Sequence, residues 1–152
     1  MKEMPKSALP LRHTNRSLPI ALLRAREVVM GPVRDMLADT GVNEQKWRVL
    51  RVLDEGGAQD QNTIAHKACL LLPSLTRILR AMEEDALISR SEDPTDRRRS
   101  IVQIEDAGRH ILEANGAHAA ALVAQMRTLY GEEKYEQLLD LLEDLQTIGM
   151  KP

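Results

Sequence analysis

Apolar residues recur at helical spacing along most of this chain. Between residues 17 and 38, Leu18, Leu22, Ala25, Val29, Val33, Met36 and Leu37 fall on one stripe, which Ile20, Leu23 and Val28 widen. Gly31-Pro32 interrupts it. Pro32 removes the hydrogen bond to Val28, so the spacing predicts one kinked helix that continues on both sides. Thr40-Gly41 closes this helix, and Asn43 is placed to cap a second one burying Trp47, Leu50, Val52 and Leu53. Gly56-Gly57 stops the second. Asp60 can cap a third helix running to about Cys69, with Ile64, Ala65, Ala68 and Cys69 inward. A fourth opens at Leu72-Pro73-Ser74, with Pro73 at the first helical position, and buries Leu75, Ile78, Leu79 and Met82.

The period then changes. Ala86 to Arg90 reads as a strand, Asp93-Pro94-Thr95-Asp96 as a turn, and Ile101 to Ile104 as the returning strand, with Arg97-Arg98-Arg99 between them. Helical spacing resumes from about Asp106 to Leu129, where Ile111, Leu112, Leu122, Val123, Met126 and Leu129 face inward and Ala114, Ala117 and Ala119 to Ala121 permit close approach. Gly131 punctuates, Glu132-Glu133 suit a helix N-terminus, and Tyr135, Leu138, Leu139, Leu142 and Leu145 line the last helix, with Leu141 and Ile148 extending its stripe.

This order predicts an all-α fold with a small β-wing. A winged helix-turn-helix spans residues 41–104, and helices from 12–40 and 105–152 flank it. Residues 1–11, with Pro5 and Pro10, read as a flexible N-terminal arm. The flanking helices carry more apolar surface than so small a middle domain can cover. A second copy of the chain covers it most economically, which makes 12–40 and 105–152 a dimerisation region and the protein a homodimer; the alternative is that both fold back on their own chain.

Composition adjusts this picture in three ways. Hydrophobic residues are 43% of the chain but aromatics only 2%, with no Phe, so aliphatic side chains must fill the core, as suits helix-on-helix packing. No apolar run reaches the roughly 18 residues of a membrane span, and no apolar signal region opens the chain, so a cytoplasmic protein without a membrane partner is expected. The single cysteine, Cys69, excludes an internal disulfide or a multi-Cys zinc site.

A net charge of −2 argues by itself against a nucleic-acid partner, but its distribution argues otherwise. Residues 1–58 carry +3, residues 59–104 are neutral, and residues 105–152 carry −5. Within the neutral block the bases gather at Arg77, Arg80 and Arg97 to Arg99, while the acids gather at Glu83-Glu84-Asp85 and Glu92-Asp93. A local basic face suffices for DNA, because charges within a Debye length of ~8 Å set the potential.

Ser74, Thr76, Arg77 and Arg80 near a helix N-terminus are what a helix needs to meet base edges and phosphates of double-stranded DNA. Arg97, Arg98 and Arg99 on a tight turn suit a narrow minor groove, where the potential is most negative. Asp96 can pair with an arginine and orient the wing, or bond its own backbone as a turn residue. No nucleophile–base pair, phosphate loop or paired carboxylates stand out, so no catalytic site, no cofactor and no enzyme are expected. His13, His66, His110 and His118 show no metal-ligand spacing with each other or with Cys69.

Over residues 17–148 the chain resembles the MarR family of bacterial repressors. The likeness is carried by Leu50-x-x-Leu53, by Pro73-Ser74-Leu75-Thr76-Arg77-Ile78-Leu79, and by Asp96-x-Arg98. Ile20 to Leu23 with Ala25-Arg26-Glu27, Gln45-Lys46-Trp47-Arg48, and Ala68 to Thr76 are similar to a subgroup that represses homoprotocatechuate (4-hydroxyphenylacetate) degradation operons. The resemblance implies an obligate dimer whose first, fifth and sixth helices join, with recognition helices in major grooves and wings in minor grooves. Two positions depart from the family pattern: Ala86 stands where Gly is usual, so the left-handed exit from the recognition helix is less favourable and is expected to differ in shape, and Glu105 stands where Thr usually caps the fifth helix, a task that falls to Asp106.

The resemblance also implies a small aromatic acid as effector, bound between the dimer region and the DNA-binding lobe. Such a ligand needs a cation, a polar partner and apolar walls. Arg26 is the leading candidate for its carboxylate, with Arg16, Ser17, Trp47, Arg48 and His66 as further suppliers; each has a blander role as ion-pair, core or surface residue. Two other readings remain open: a redox-responsive regulator using Cys69, although the spacing expects that thiol to be buried, and a helical protein-interaction module.

Overall fold

The computed structural model describes Leu11 and residues 13–149; the arm expected over 1–11 lies, apart from Leu11, outside the described residues. After a single 3-10 turn at Thr14–Arg16, six helices and three strands follow: α1 (Leu18–Leu37), α2 (Glu44–Gly56), β1 (Gln59–Asp60), α3 (Gln61–Ala68), α4 (Leu72–Glu84), β2 (Ile88–Glu92), β3 (Ser100–Ile104), α5 (Asp106–Tyr130) and α6 (Glu132–Leu145). The fold is therefore helical with a small antiparallel sheet, in the winged helix arrangement.

The local signals that start these helices operate as expected. Asn43 accepts the backbone N–H of Lys46 at 2.9 Å and caps α2, and Asp60 accepts that of Thr63 at 2.8 Å and caps α3. Pro32 sits inside α1, which runs as one helix across it. Pro73 is the second residue of α4 rather than the first, with Leu71 as the N-cap.

The strands are ordered β1-β3-β2 and all pairs are antiparallel, with Gln59 opposite Val102 and Ile88 opposite Ile104. The core lies almost wholly between residues 36 and 104. Val49, Leu50, Leu53, Ile64, Leu75, Leu79, Met82 and Val102 are fully buried and draw α2, α3, α4 and β3 together. By contrast, α5 buries only Gly108 and α6 buries no residue. Leu22, Leu23, Val28 and Val29 of α1, Val123 and Leu129 of α5, and Leu138, Leu139 and Leu141 of α6 remain exposed. So much apolar surface on three helices exceeds what a lone soluble domain leaves uncovered.

The start of α5 is pressed onto the winged domain. Glu105 N–H donates to the Leu87 carbonyl at 2.9 Å. A Cβ added at Gly108 would lie 2.6 Å from that same carbonyl oxygen and 2.9 Å from side-chain atoms of Leu50 and Ile104, so only glycine fits.

Three expectations are corrected. Cys69 is exposed, not buried: α3 ends one residue earlier, and Cys69 takes the left-handed conformation (φ 54°) that terminates it. Ala86 keeps the left-handed exit from α4 (φ 57°) that glycine would adopt more easily, so the departure from the family pattern changes the residue and not the backbone. Asp106 does not cap α5; it is the first helical residue and pairs with Arg109 at 3.0 Å, while Glu105 takes the cap position and accepts from Ser89 and Gln103.

Candidate nucleic-acid interface

Helix α4 buries Leu75, Leu79 and Met82, which at 100° per residue turns Pro73, Arg77 and Arg80 outward; all three are exposed. Ser74 and Thr76 flank that stripe and are half-buried. The Thr76 hydroxyl donates to the Leu72 carbonyl at 3.0 Å, so what it offers outward is a methyl group and oxygen lone pairs.

The wing is held beside α4. Arg90 of β2 donates from Nε to Glu83 of α4 at 3.2 Å. Its tip is tied internally: Asp93 accepts the Thr95 N–H at 2.9 Å and its hydroxyl at 2.8 Å, and Asp93 N–H donates to the Arg99 carbonyl at 3.0 Å. These Thr95 donors hold the Asp93 carboxyl below its usual range. Asp96 accepts the backbone N–H of Arg98 at 3.0 Å, while its carbonyl accepts that of Arg99. Asp96 thus orients the wing through the backbone, without an arginine ion pair among the described residues.

The three wing arginines divide. Arg97 and Arg98 are exposed and form no ion pair among the described residues, like Arg77 and Arg80 on α4. Arg99, expected beside them as a DNA contact, turns back to pair with Asp60 and lies 4.0 Å from Asp93. The N–H of Thr63 and the Arg99 guanidinium together hold the Asp60 carboxyl below its usual range. The result is four unpaired guanidiniums, two on α4 and two at the wing tip, whereas most of the other described arginines form ion pairs.

A second feature is a cleft of about 490 Å³ between α2 and α5, within the size range of small-molecule sites. Trp47 and Arg51 line it from α2, and Leu112, Gly116, Ala119 and Val123 from α5. Trp47 is buried, whereas Arg51 is exposed and paired only with Glu55 at 3.1 Å. The lining is an indole wall, mostly small apolar side chains of α5, the Arg51 cation, and two carboxylates of α2, Asp54 and Glu55.

Of the expected ligand residues, only Trp47 lines this cleft. Arg26 donates to Glu44 at 2.8 Å, with Arg34 3.9 Å from the same carboxylate. The Arg26 hydrogen bond is the main cause holding the Glu44 carboxyl below its usual range. Arg16 closes the 3-10 turn, and Ser17 is the N-cap of α1 without a side-chain cap bond. Arg48 is half-buried, with its Nε lacking a partner. His66 lines a separate cleft with Lys67, Cys69 and Gln146. Arg51 was not singled out from the sequence because the other wall of its cleft lies on α5; the available signal was its position one turn after Trp47, on the same face. No group of three or more potential metal ligands occurs among the described residues, and no described helix is long and apolar enough to cross a membrane.

Known proteins share this arrangement. The MarR family pattern matches residues 42–100, which hold the winged domain up to the first residue of β3. The homoprotocatechuate degradative operon repressor of Escherichia coli is 35% identical over 133 residues, covering 88% of this chain and 90% of that protein. NadR in complex with 4-hydroxyphenylacetate superposes with a TM-score of 0.78 at 33% identity, covering 92% of this chain and 99% of that one. CouR, a transcriptional repressor bound to a 23-mer DNA duplex, superposes with a TM-score of 0.75 at 29% identity, covering 91% and 98%. These relatives are regulators and not enzymes, and the chain belongs with them to the MarR family of DNA-binding transcriptional repressors.

Proposed function

We propose that the chain is a homodimeric repressor of an aromatic-acid catabolic operon, released from a pseudo-palindromic operator by a small phenolic or aromatic carboxylate. Residues 41–104 are the DNA-binding region, and residues 12–40 with 105–152 the dimerisation region. The observation that carries the reading is the set of four unpaired arginines on two adjoining elements: Arg77 and Arg80 on α4, Arg97 and Arg98 on the wing. Helix α4 enters the major groove, where Ser74, Thr76 and Arg77 meet bases or phosphates and Arg80 a phosphate. Arg98 enters the minor groove, with Arg97 beside it. Arg99 supports the wing from behind through Asp60. Joining two copies through the exposed faces of α1, α5 and α6 sets the recognition helices for half-sites about one helical turn apart.

The effector enters the cleft between α2 and α5. Its ring packs against Trp47 and the small residues of α5, and its carboxylate meets Arg51 in place of Glu55. The cleft joins the DNA-binding lobe to a dimerisation helix, so a ligand that prefers one angle between them shifts the spacing of the recognition helices. A preference of ~1.4 kcal/mol moves operator affinity tenfold.

The test is fluorescence anisotropy on duplex DNA from upstream of the protein's own coding sequence. It is run at two salt concentrations, with and without 4-hydroxyphenylacetate and its 3,4-dihydroxy analogue. Tight, salt-sensitive binding relieved by either acid supports the reading. Binding without relief removes the aromatic-acid part. Binding no tighter than to random DNA at every salt counts against the repressor at that site. Cys69 is exposed, so Cys69→Ser serves as the control: peroxide-dependent release abolished in that variant would favour a redox signal instead.

A further inference from the structure

We propose that the leading turn of α4 selects thymine-containing sites by packing Leu71 and Leu72 against thymine methyl groups. The inference rests on α4 entering a major groove, and it adds which bases that entry favours.

Helix α4 starts with Leu71 as its N-cap, followed by Leu72 and Pro73. Leu71 is 78% exposed and Leu72 42% exposed. The core beneath them is already closed by Leu75, Leu79 and Met82, none of which has any exposed surface. The two leucines therefore contribute little to the winged domain's own interior, and exposing both has a solvation cost that binding can recover.

A helix start built to hold phosphate offers free backbone N–H groups and a polar cap. This one has no side-chain cap bond at Leu71, and Pro73 supplies no N–H. Leu72 lies at i, i+4 and i+8 with Thr76 and Arg80, along one ridge of the helix. The Thr76 hydroxyl proton is committed to the Leu72 carbonyl, which leaves a methyl group on that ridge. The tip is thus apolar, and the next turns carry the exposed cations Arg77 and Arg80.

A polyanion complements those cations, and on duplex DNA one apolar group projects into the major groove: the C5-methyl of thymine. A protein partner would need an apolar patch far larger than two side chains at the end of one helix.

Replacing thymine by uracil tests this, because the base edge keeps every hydrogen-bonding group and loses only the methyl. The full-length chain is first used to select its preferred duplex from randomised DNA, and anisotropy then compares that duplex with its uracil-substituted form. The expected result is a loss of about fourfold for each methyl buried against these leucines, which corresponds to about 0.8 kcal/mol. Leu71→Ala combined with Leu72→Ala is expected to bind the thymine and uracil duplexes alike. The comparison is internal to each variant, so a general change in folding or affinity does not affect it.

Equal binding of both duplexes by the unaltered protein, with salt-sensitive site preference retained, overturns the inference and leaves the repressor reading standing. A thymine preference that survives in the double variant also overturns it, and moves the contact to Thr76. Failure to select any duplex above random DNA overturns the underlying reading together with it.

Discussion

Arg99 of the wing is paired with Asp60, 39 residues earlier in the chain, and that carboxylate also caps α3. The pair fastens the base of the wing to the start of the helix-turn-helix, next to the β1–β3 ladder where Asp60 faces Ile101. The residue that directly follows Arg97 and Arg98 is thus tied to α3.

The consequence for DNA binding has a definite sign. Asp60→Asn preserves the cap, because an asparagine oxygen can still accept the Thr63 N–H, but it releases Arg99. If Arg99 supports the wing, Asp60→Asn and Arg99→Gln each weaken operator binding by roughly threefold, without lowering the salt dependence. Arg98→Ala, by contrast, lowers the salt slope by about 1. Tighter binding by Asp60→Asn would mean that the freed arginine reaches phosphate, and would refute the supporting role. Anisotropy titrations at four salt concentrations separate the two.

The same pair shows where sequence reading succeeds and where it stops. The caps Asn43 and Asp60, the run of α1 across Pro32 and the hairpin with its basic tip were all legible, because each depends on residues within one or two turns. The fate of Arg99 was not, because its partner lies on another element and a triple-arginine run looks uniform in sequence. The surroundings of Arg26 and Arg51 were not legible for the same reason: Arg26 pairs with Glu44 of another helix, and the packing of α5 beside α2 places Arg51 at a cleft. Cys69 followed the inward spacing of α3, but the helix ended one residue short and the left-handed turn carried the thiol outward. The two-residue strand β1 left no pattern to read; it exists because β3 pairs with it.

For the effector, the geometry separates two arginines, Arg26 on α1 and Arg51 on α2. Removing a charged hydrogen bond to a carboxylate costs ~1.5–3 kcal/mol, so Arg51→Ala is expected to weaken 4-hydroxyphenylacetate binding about tenfold to a hundredfold while leaving operator binding without ligand close to normal. Arg26→Ala should leave ligand affinity unchanged and instead lower thermal stability, because it strips Glu44 of its nearest cation. Isothermal titration of each variant with the ligand decides between them, and a reversed pattern would return the carboxylate site to Arg26.

Two backbone positions carry opposite expectations for stability. Ala86 sits at φ 57°, where a non-glycine residue bears ~1–2 kcal/mol of strain. Glycine relieves this but loses more chain entropy on folding, so Ala86→Gly should stabilise by a net ~0.5–1 kcal/mol. Gly108→Ala places a methyl 2.6 Å from the Leu87 carbonyl oxygen, where α5 docks on the winged domain, and should destabilise by ~1–3 kcal/mol. Urea unfolding of both variants measures the two shifts, and equal midpoints for Gly108→Ala and the unaltered chain would show that α5 does not need this close approach.

Acid sensitivity follows from the carboxylates that join the elements. Glu44 is held below its usual range chiefly by the hydrogen bond from Arg26, and Asp60 by the backbone N–H of Thr63 and then by Arg99. A carboxyl whose folded pKa lies below its unfolded value favours the folded chain once both states are ionised. That stabilisation is fully present above the unfolded pKa values, about 4.3 for Glu and about 3.9 for Asp, and is lost as pH falls through the lower folded values. Stability should therefore fall steeply below about pH 4. Glu44→Gln removes one titrating group at the α1–α2 junction, so that variant should be less stable at pH 7 and lose less on acidification. Thermal melts from pH 7 to pH 3 test this: parallel curves for the variant and the unaltered chain would show that the Arg26–Glu44 pair contributes no pH-dependent stability, whereas curves that converge at low pH would assign the acid transition in part to that junction.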